Sequence, residues 1–213
     1  MVYDIGANRK VEEKGNSGQG PLFQFKMTLK GIRPPIWRRF LVPDWISLSD
    51  LHDIIQVVMG WTNSHMHEFL WKGRRYGAPG SDGEFEEVIN EDTVTLRKLG
   101  LSPKDKIGYE YDFGDSWEHE LRLEKILPGE EGILFPLCLK GARACPPEDC
   151  GGAWGYEEIL EILKNPDHEE YRSLKEWFPI EFDPEYFDIE RINQRLSAKK
   201  LLPAPGRKTR RET

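Results

Sequence analysis

The chain has 213 residues, enough for one sizeable domain with extensions at its ends. Its 31% charged residues and the lack of any apolar run near twenty residues exclude a membrane-spanning helix, while seven Trp, ten Phe and seven Tyr point to a packed aromatic interior. The formal net charge of −7 is unevenly spread: residues 198–213 hold six Lys or Arg against Glu212 alone, leaving 24 basic and 36 acidic side chains elsewhere. An acidic body repels phosphate backbones at long range, so nucleic acid is expected to meet this protein only through the basic C-terminal tail.

Residues 1–20 are polar, Gly-rich and without periodicity, which predicts a flexible leader. That leader has no apolar stretch behind a basic start and is not Arg-rich and acid-poor, so a cytoplasmic location is expected. Order is expected from Phe23, because Phe23, Phe25, Met27 and Leu29 alternate with polar residues, the signature of a strand with one buried face. The turn residues of GIRPPIWRRF lead into a second strand at about 36–42. Ser47 opens a helix with Asp50 in the capping-box position; Leu48, Leu51, Ile55 and Val58 form its apolar stripe, and Gly60 ends it. His65, His67, Phe69 and Trp71 then share one face of a third strand, followed by a loop containing GAPGSDGEFEE.

The stretch YDFGDSWEH, residues 111–119, reads as a hairpin with residues 114–116 as a three-residue loop. That register sets Tyr111 opposite His119 on an apolar face and makes His119 a core histidine with one hydrogen-bond partner. On the other face it sets Asp112 opposite Glu118 and Glu110 opposite Glu120, with Asp115 at the turn. Like charges directly opposite destabilise a sheet, so this acidic surface calls for Lys26, Lys30, Arg38 or Arg39 as outward-pointing partners, or for a divalent metal held by oxygen ligands. A second metal possibility is His65, His67 and His119, with His52 as a further candidate. No cofactor is expected otherwise.

Cys138, Cys145 and Cys150 are expected to be free thiols, because a zinc site would need a fourth ligand and a tighter pair. PPEDCGGAWGY places Cys150 before a helix starting near Tyr156, which makes it a candidate reactive thiol or simply part of a tight turn. Residues 128–155 otherwise read as a Gly, Pro and Cys-rich loop. Further helices are expected around Tyr171 to Trp177, and from Asp183 with Pro184 in its first turn, carrying Phe187, Ile192 and Leu196. The order of elements predicts one α+β domain over 21–197: a β-grasp-like mixed sheet with one crossing helix over 21–127, and C-terminal helices packed on it over 128–197. A basic flexible tail follows over 198–213.

PPIWRRFLVP, LSDLHDIIQVVMGW, HMHEF, YEYDFGDSWEHEL, PPEDCGGAWGY and FDPEYFD, in this order, resemble the plasmid pRiA4b ORF-3-like family. The resemblance implies a prokaryotic domain of unknown biochemical role, sometimes labelled transposon resolvase-like, and carries over no catalytic residue. No nucleophile elbow, phosphate-cradling loop or H-E-x-x-H motif is present. The residues therefore point to a non-enzymatic binding or interaction module with an unknown protein partner. The alternative is a metal-dependent hydrolase or nuclease associated with DNA mobility, using Asp112, Asp115 and Glu118 or His65, His67 and His119.

Overall fold

A computed structural model describes residues 20–78, 88–129, 136–178 and 182–199. The leader, the GAPGSDGEFEE loop beyond Ala78 and the tail beyond Lys199 lie outside the described residues. The strands are β1 (Leu22–Leu29), β2 (Trp37–Pro43), β3 (His67–Trp71), β4 (Arg74–Gly77), β5 (Val88–Asn90), β6 (Lys106–Tyr111), β7 (Trp117–Leu127) and β8 (Leu137–Ala142). The helices are α1 (Leu48–Met59), α2 (Gly152–Lys164), α3 (Tyr171–Trp177) and α4 (Ile189–Ala198), with short 3-10 turns at Glu91–Thr93 and Leu96–Leu99. Among the described residues, eight strands form one sheet in the order β5-β4-β3-β6-β7-β1-β2-β8, antiparallel throughout except for the parallel β4–β5 pair. The fold is α+β with a mixed sheet.

One face of the sheet is apolar because every long strand alternates. Phe25, Met27 and Leu29 of β1 stand in register with Leu123, Leu121 and His119 of β7, and the β6 residues Ile107, Tyr109 and Tyr111 continue the same buried face. α1 packs on it. Ser47 and Asp50 form the reciprocal capping box, worth about 1 kcal/mol to the helix, and Gly60 closes the other end in the left-handed conformation. His52 and Gln56 of α1 both reach the Tyr109 hydroxyl, at 2.8 and 3.1 Å. The C-terminal helices extend this core: Tyr156, Ile159, Leu174 and Leu196 join the same apolar cluster, and α4 packs against β8 and α1. Among the described residues, no helix is long and apolar enough to cross a membrane.

Several local expectations change. The hairpin connection spans 112–116, so the register moves by two: Tyr111 pairs with Trp117, Tyr109 with His119 and Glu110 with Glu118. The faces keep their parity, since a shift of two returns each side chain to its side. The open face is also less repulsive than expected, because Glu118 pairs with Lys30 at 3.0 Å and Glu120 with Lys106 at 2.8 Å.

Arg38 points inward, not outward. It shares a register position with buried Met27, and its guanidinium donates to the carbonyls of Val58, Trp37, Ala142 and Arg143. β8 lies inside the segment expected to be a loop; it pairs with the open edge of β2, where Asn193 of α4 also brackets Cys138 through its N–H and carbonyl. α4 starts at Ile189, after the Asp188 cap, because residues 183–187 form a turn that lays Phe187 against Gly141 and Arg38.

Candidate functional site

Asp112 follows β6 in the left-handed conformation, with φ 59°, and its Oδ1 accepts from the N–H groups of Gly114 at 2.9 Å and Asp115 at 3.4 Å. A short polar side chain tolerates that backbone because it bonds its own turn. The Asp112 N–H donates to the Met66 carbonyl at 2.8 Å, so the chain entering β3 lies against the hairpin tip. On the other side, Asp115 Oδ2 accepts from the Gly151 N–H at 3.2 Å. Gly152, at φ 69°, packs its backbone on the Asp115 carbonyl so closely that no Cβ would fit. Three segments remote in sequence, around residues 65, 114 and 150, thus meet at one rim of the sheet.

His65 sits at the centre of that rim. Its Nδ1 lies 3.5 Å from Asp112 Oδ2 and its Nε2 lies 3.3 Å from Asp149 Oδ1, and one donor atom from each of the three falls within 4.8 Å of the others. Nε2 is buried and is not aimed well enough for a hydrogen bond. Beside it, Glu148 accepts from Thr62 N–H at 3.1 Å and from the Tyr111 hydroxyl at 2.6 Å. Burial pushes the Glu148 carboxyl up, but these hydrogen bonds outweigh it and hold it below the usual range.

Glu110, Asp112, Asp115, Glu148 and Asp149 have no Lys or Arg ion-pair partner among the described residues, whereas Asp44, Glu68, Glu124 and Glu185 each hold an arginine. The rim is also apolar at its surface: Met66, Phe113 and Trp154 are exposed, Trp154 by 77%.

The expected acidic surface is therefore divided. Asp112 and Asp115 build the turn, Glu110 accepts from Ser116 Oγ at 2.8 Å, and Glu118 and Glu120 belong to the ion-paired open face. The three histidines are not brought together. β3 begins only at His67, so His65 turns toward the hairpin tip, while His67 stacks on His52 at 3.4 Å and pairs with Glu91 at 2.9 Å. His119 is enclosed by Trp61 and Tyr109, and neither of its ring nitrogens has the single partner expected.

The three cysteines are free, and Cys150 is buried, its thiol pushed up to about 12 by burial and then by the charge of Asp115; this opposes a thiolate at neutral pH. Sequence reasoning missed Glu148 and Asp149. Their acidity was visible in PPEDCGG, but nothing local linked them to a histidine more than eighty residues earlier.

The family model described as plasmid pRiA4b ORF-3-like protein matches residues 21–191. The chain is similar to the uncharacterized protein y4hQ of Sinorhizobium fredii (strain NBRC 101917 / NGR234), with 35% identity over 199 residues, covering 89% of this chain and 97% of that protein. It is also similar to the crystal structure of a protein of unknown function, MM3350, from Methanosarcina mazei Go1, with a TM-score of 0.74, 43% identity, and coverage of 80% of this chain and 96% of that one. The match runs from the first residues of β1 into α4 and takes in every segment of the rim, and the chain belongs to the plasmid pRiA4b ORF-3-like family.

Proposed function

We propose that this protein is a binding module whose rim at the β6–β7 tip docks a basic, apolar-containing segment of a partner protein. One observation carries the reading: five carboxylates that have no Lys or Arg partner among the described residues are gathered beside exposed Phe113 and Trp154, on a molecule that pairs many of its other acids. Exposed aromatics supply the apolar anchor that interfaces concentrate, and uncompensated charge supplies orientation and encounter rate. The turn hydrogen bonds of Asp112 and the seat of Gly152 on Asp115 hold the surface in place before a partner arrives.

The test is fluorescence anisotropy with labelled Arg/Lys-rich peptides bearing a central Leu or Trp. Saturable binding that weakens with salt, and weakens about tenfold or more in Trp154→Ala and in Asp115→Asn/Asp149→Asn, supports the docking rim. Affinity unchanged in these variants overturns it. Glu124→Gln, on the open face, serves as the distant control.

A second reading rests on the grouping of His65, Asp112 and Asp149: a divalent cation could take the same uncompensated charge and serve hydrolytic chemistry. Metal analysis of protein purified without an affinity tag separates the two. Stoichiometric metal lost in His65→Ala and Asp149→Asn favours the metal centre, and metal-free protein whose melting temperature ignores added Mn²⁺ and Zn²⁺ favours docking.

A further inference from the structure

We infer that the chain's own basic segment, residues 200–213, docks on the acidic rim in cis and competes there with the partner. The inference rests on the docking reading above and names the occupant of that rim in the unbound protein. Beyond Lys199 the sequence KLLPAPGRKTRRET sets Lys200, Arg207, Lys208, Arg210 and Arg211 against Glu212 alone, with Leu201 and Leu202 among them. The rim is its complement in both charge and apolar character: carboxylates that have no Lys or Arg partner among the described residues stand beside exposed Met66, Phe113 and Trp154.

The segment leaves the fold close to the rim. α4 packs on α1 and is followed by exposed Lys199, whose positive charge is felt at two residues of α1. Burial and then His67 lower the His52 pKa, with Lys199 adding to both, and Lys199 opposes the rise that burial causes at Asp53. From His52 the path to the rim is short: its ring lies 6.4 Å from that of Tyr111, and the Tyr111 ring lies 5.8 Å from that of His65. His52 Nε2 is also 2.7 Å from Asn63 Oδ1, in the segment that runs on to His65. Residues 200–206 span about 23 Å when extended, enough to bring Arg207 and the cations behind it to the carboxylates.

Tethering makes a weak contact effective. A short linker holds the segment near its site at an effective concentration of about 1 mM, above that of any free copy of the chain at micromolar levels. A segment with a Kd of about 0.1 mM then fills the rim about nine-tenths of the time and weakens a competing peptide about tenfold. The contact is made largely by exposed charges, so salt releases it. The partner must displace the segment, which gives the rim a threshold that only a tighter or more concentrated ligand passes.

The test compares the full wild-type chain with a full-length variant carrying Arg207→Ser, Lys208→Ser, Arg210→Ser and Arg211→Ser, whose unchanged far-UV circular dichroism shows that it folds. In anisotropy titrations with the labelled Arg/Lys-rich peptide at low salt, the variant should bind about tenfold more tightly than wild type, and the gap should close as salt rises. In amide NMR spectra the signals of Gly114, Gly151 and the Trp154 indole N–H should differ between the two proteins, by the same amount at protein concentrations about tenfold apart. The Gly73 amide, in the turn between β3 and β4 away from the rim, should stay where it is.

Equal peptide affinity in the two proteins overturns the inference and leaves the docking reading in place, as do rim signals that ignore the four substitutions. A difference at the rim that grows with protein concentration means that the segment of a second copy is docking, and it overturns the arrangement in cis. If neither protein binds the peptide, the docking reading itself falls and this inference falls with it.

Discussion

At the residue scale, His119 shows how a side chain that looks catalytic in a string of letters becomes a liability in the core. It is enclosed by aromatic rings without a hydrogen bond to either ring nitrogen, and burial holds its pKa down to about 3 from 6.5, only partly offset by the backbone at Trp117 and Tyr109. The folded protein therefore keeps it neutral while the unfolded chain takes up a proton. Between pH 6.5 and 3 the unfolded state binds more protons, so the His119 contribution to stability is intact above about 6.5 and is lost progressively as pH falls. From pH 7.5 to 5.0 the loss is about 2 kcal/mol for one such histidine. His52, also held near 3 by burial and by neighbouring His67, adds a similar amount. Denaturant melts of His119→Phe should show an acid-limb loss smaller than wild type by about 2 kcal/mol between those pH values. Identical pH dependence in the two proteins would mean that His119 takes up its proton in the folded protein at the same pH as in the unfolded chain.

At the element scale, the β6–β7 hairpin is set by its tip. Period-2 alternation assigns Tyr109, Tyr111, Trp117 and His119 to one face, but a register shifted by two satisfies the same alternation. The choice falls to Asp112, whose side chain accepts from Gly114 and Asp115 and whose carbonyl accepts from Ser116 N–H at 2.6 Å, making 112–116 one closed turn. Replacing Asp112 by Ala should cost about 1–2 kcal/mol, because two turn N–H groups lose their acceptor, while Asp112→Asn keeps Oδ1 and should lose under about 0.5 kcal/mol. Urea unfolding measures the difference, and hydrogen exchange at the Gly114 amide localises it. If Ala and Asn cost the same, charge and not turn hydrogen bonding is what the carboxylate supplies.

At the scale of the whole molecule, Arg38 ties the parts together. Its guanidinium reaches the carbonyls of Val58 in α1 and of Ala142 and Arg143 at the end of β8, at 2.8–2.9 Å, while Phe187 covers it 4.9 Å away. Burial lowers its pKa, yet four of its five N–H donors are used. Arg38→Met should cost about 3 kcal/mol or more in urea unfolding, since it orphans several buried carbonyls at once, and Arg38→Lys should recover only part because an ammonium has no planar fork. A loss below about 1 kcal/mol in Arg38→Met would show that water takes over those carbonyls and that the edge of the sheet is held by packing alone.

What the sequence determined by itself was the set of features whose physics is local. The alternation of Phe23, Phe25, Met27 and Leu29, the reciprocal cap of Ser47 and Asp50, and Gly60 at the helix end all depend on residues a few positions apart, and each takes the form its pattern predicts. Weakly patterned elements were illegible for the opposite reason. β4 and β5 have too few residues to carry a period and β8, LCLKGA, has no clear alternation, and they exist because a neighbouring strand offers unpaired N–H and carbonyl groups.

The candidate sites belong to that second kind. His65 with Asp149 and Gly152 against Asp115 are brought together across chain separations that no spacing rule reaches. The inward turn of Arg38 follows from strand parity, but its use follows from the carbonyls of Val58, Ala142 and Arg143, which only the packed sheet, helix and edge strand place around it. Local chemistry chose the elements. Tertiary packing decided which of their charges remain without a partner, because that depends on what lies across the gap and not on what lies next along the chain.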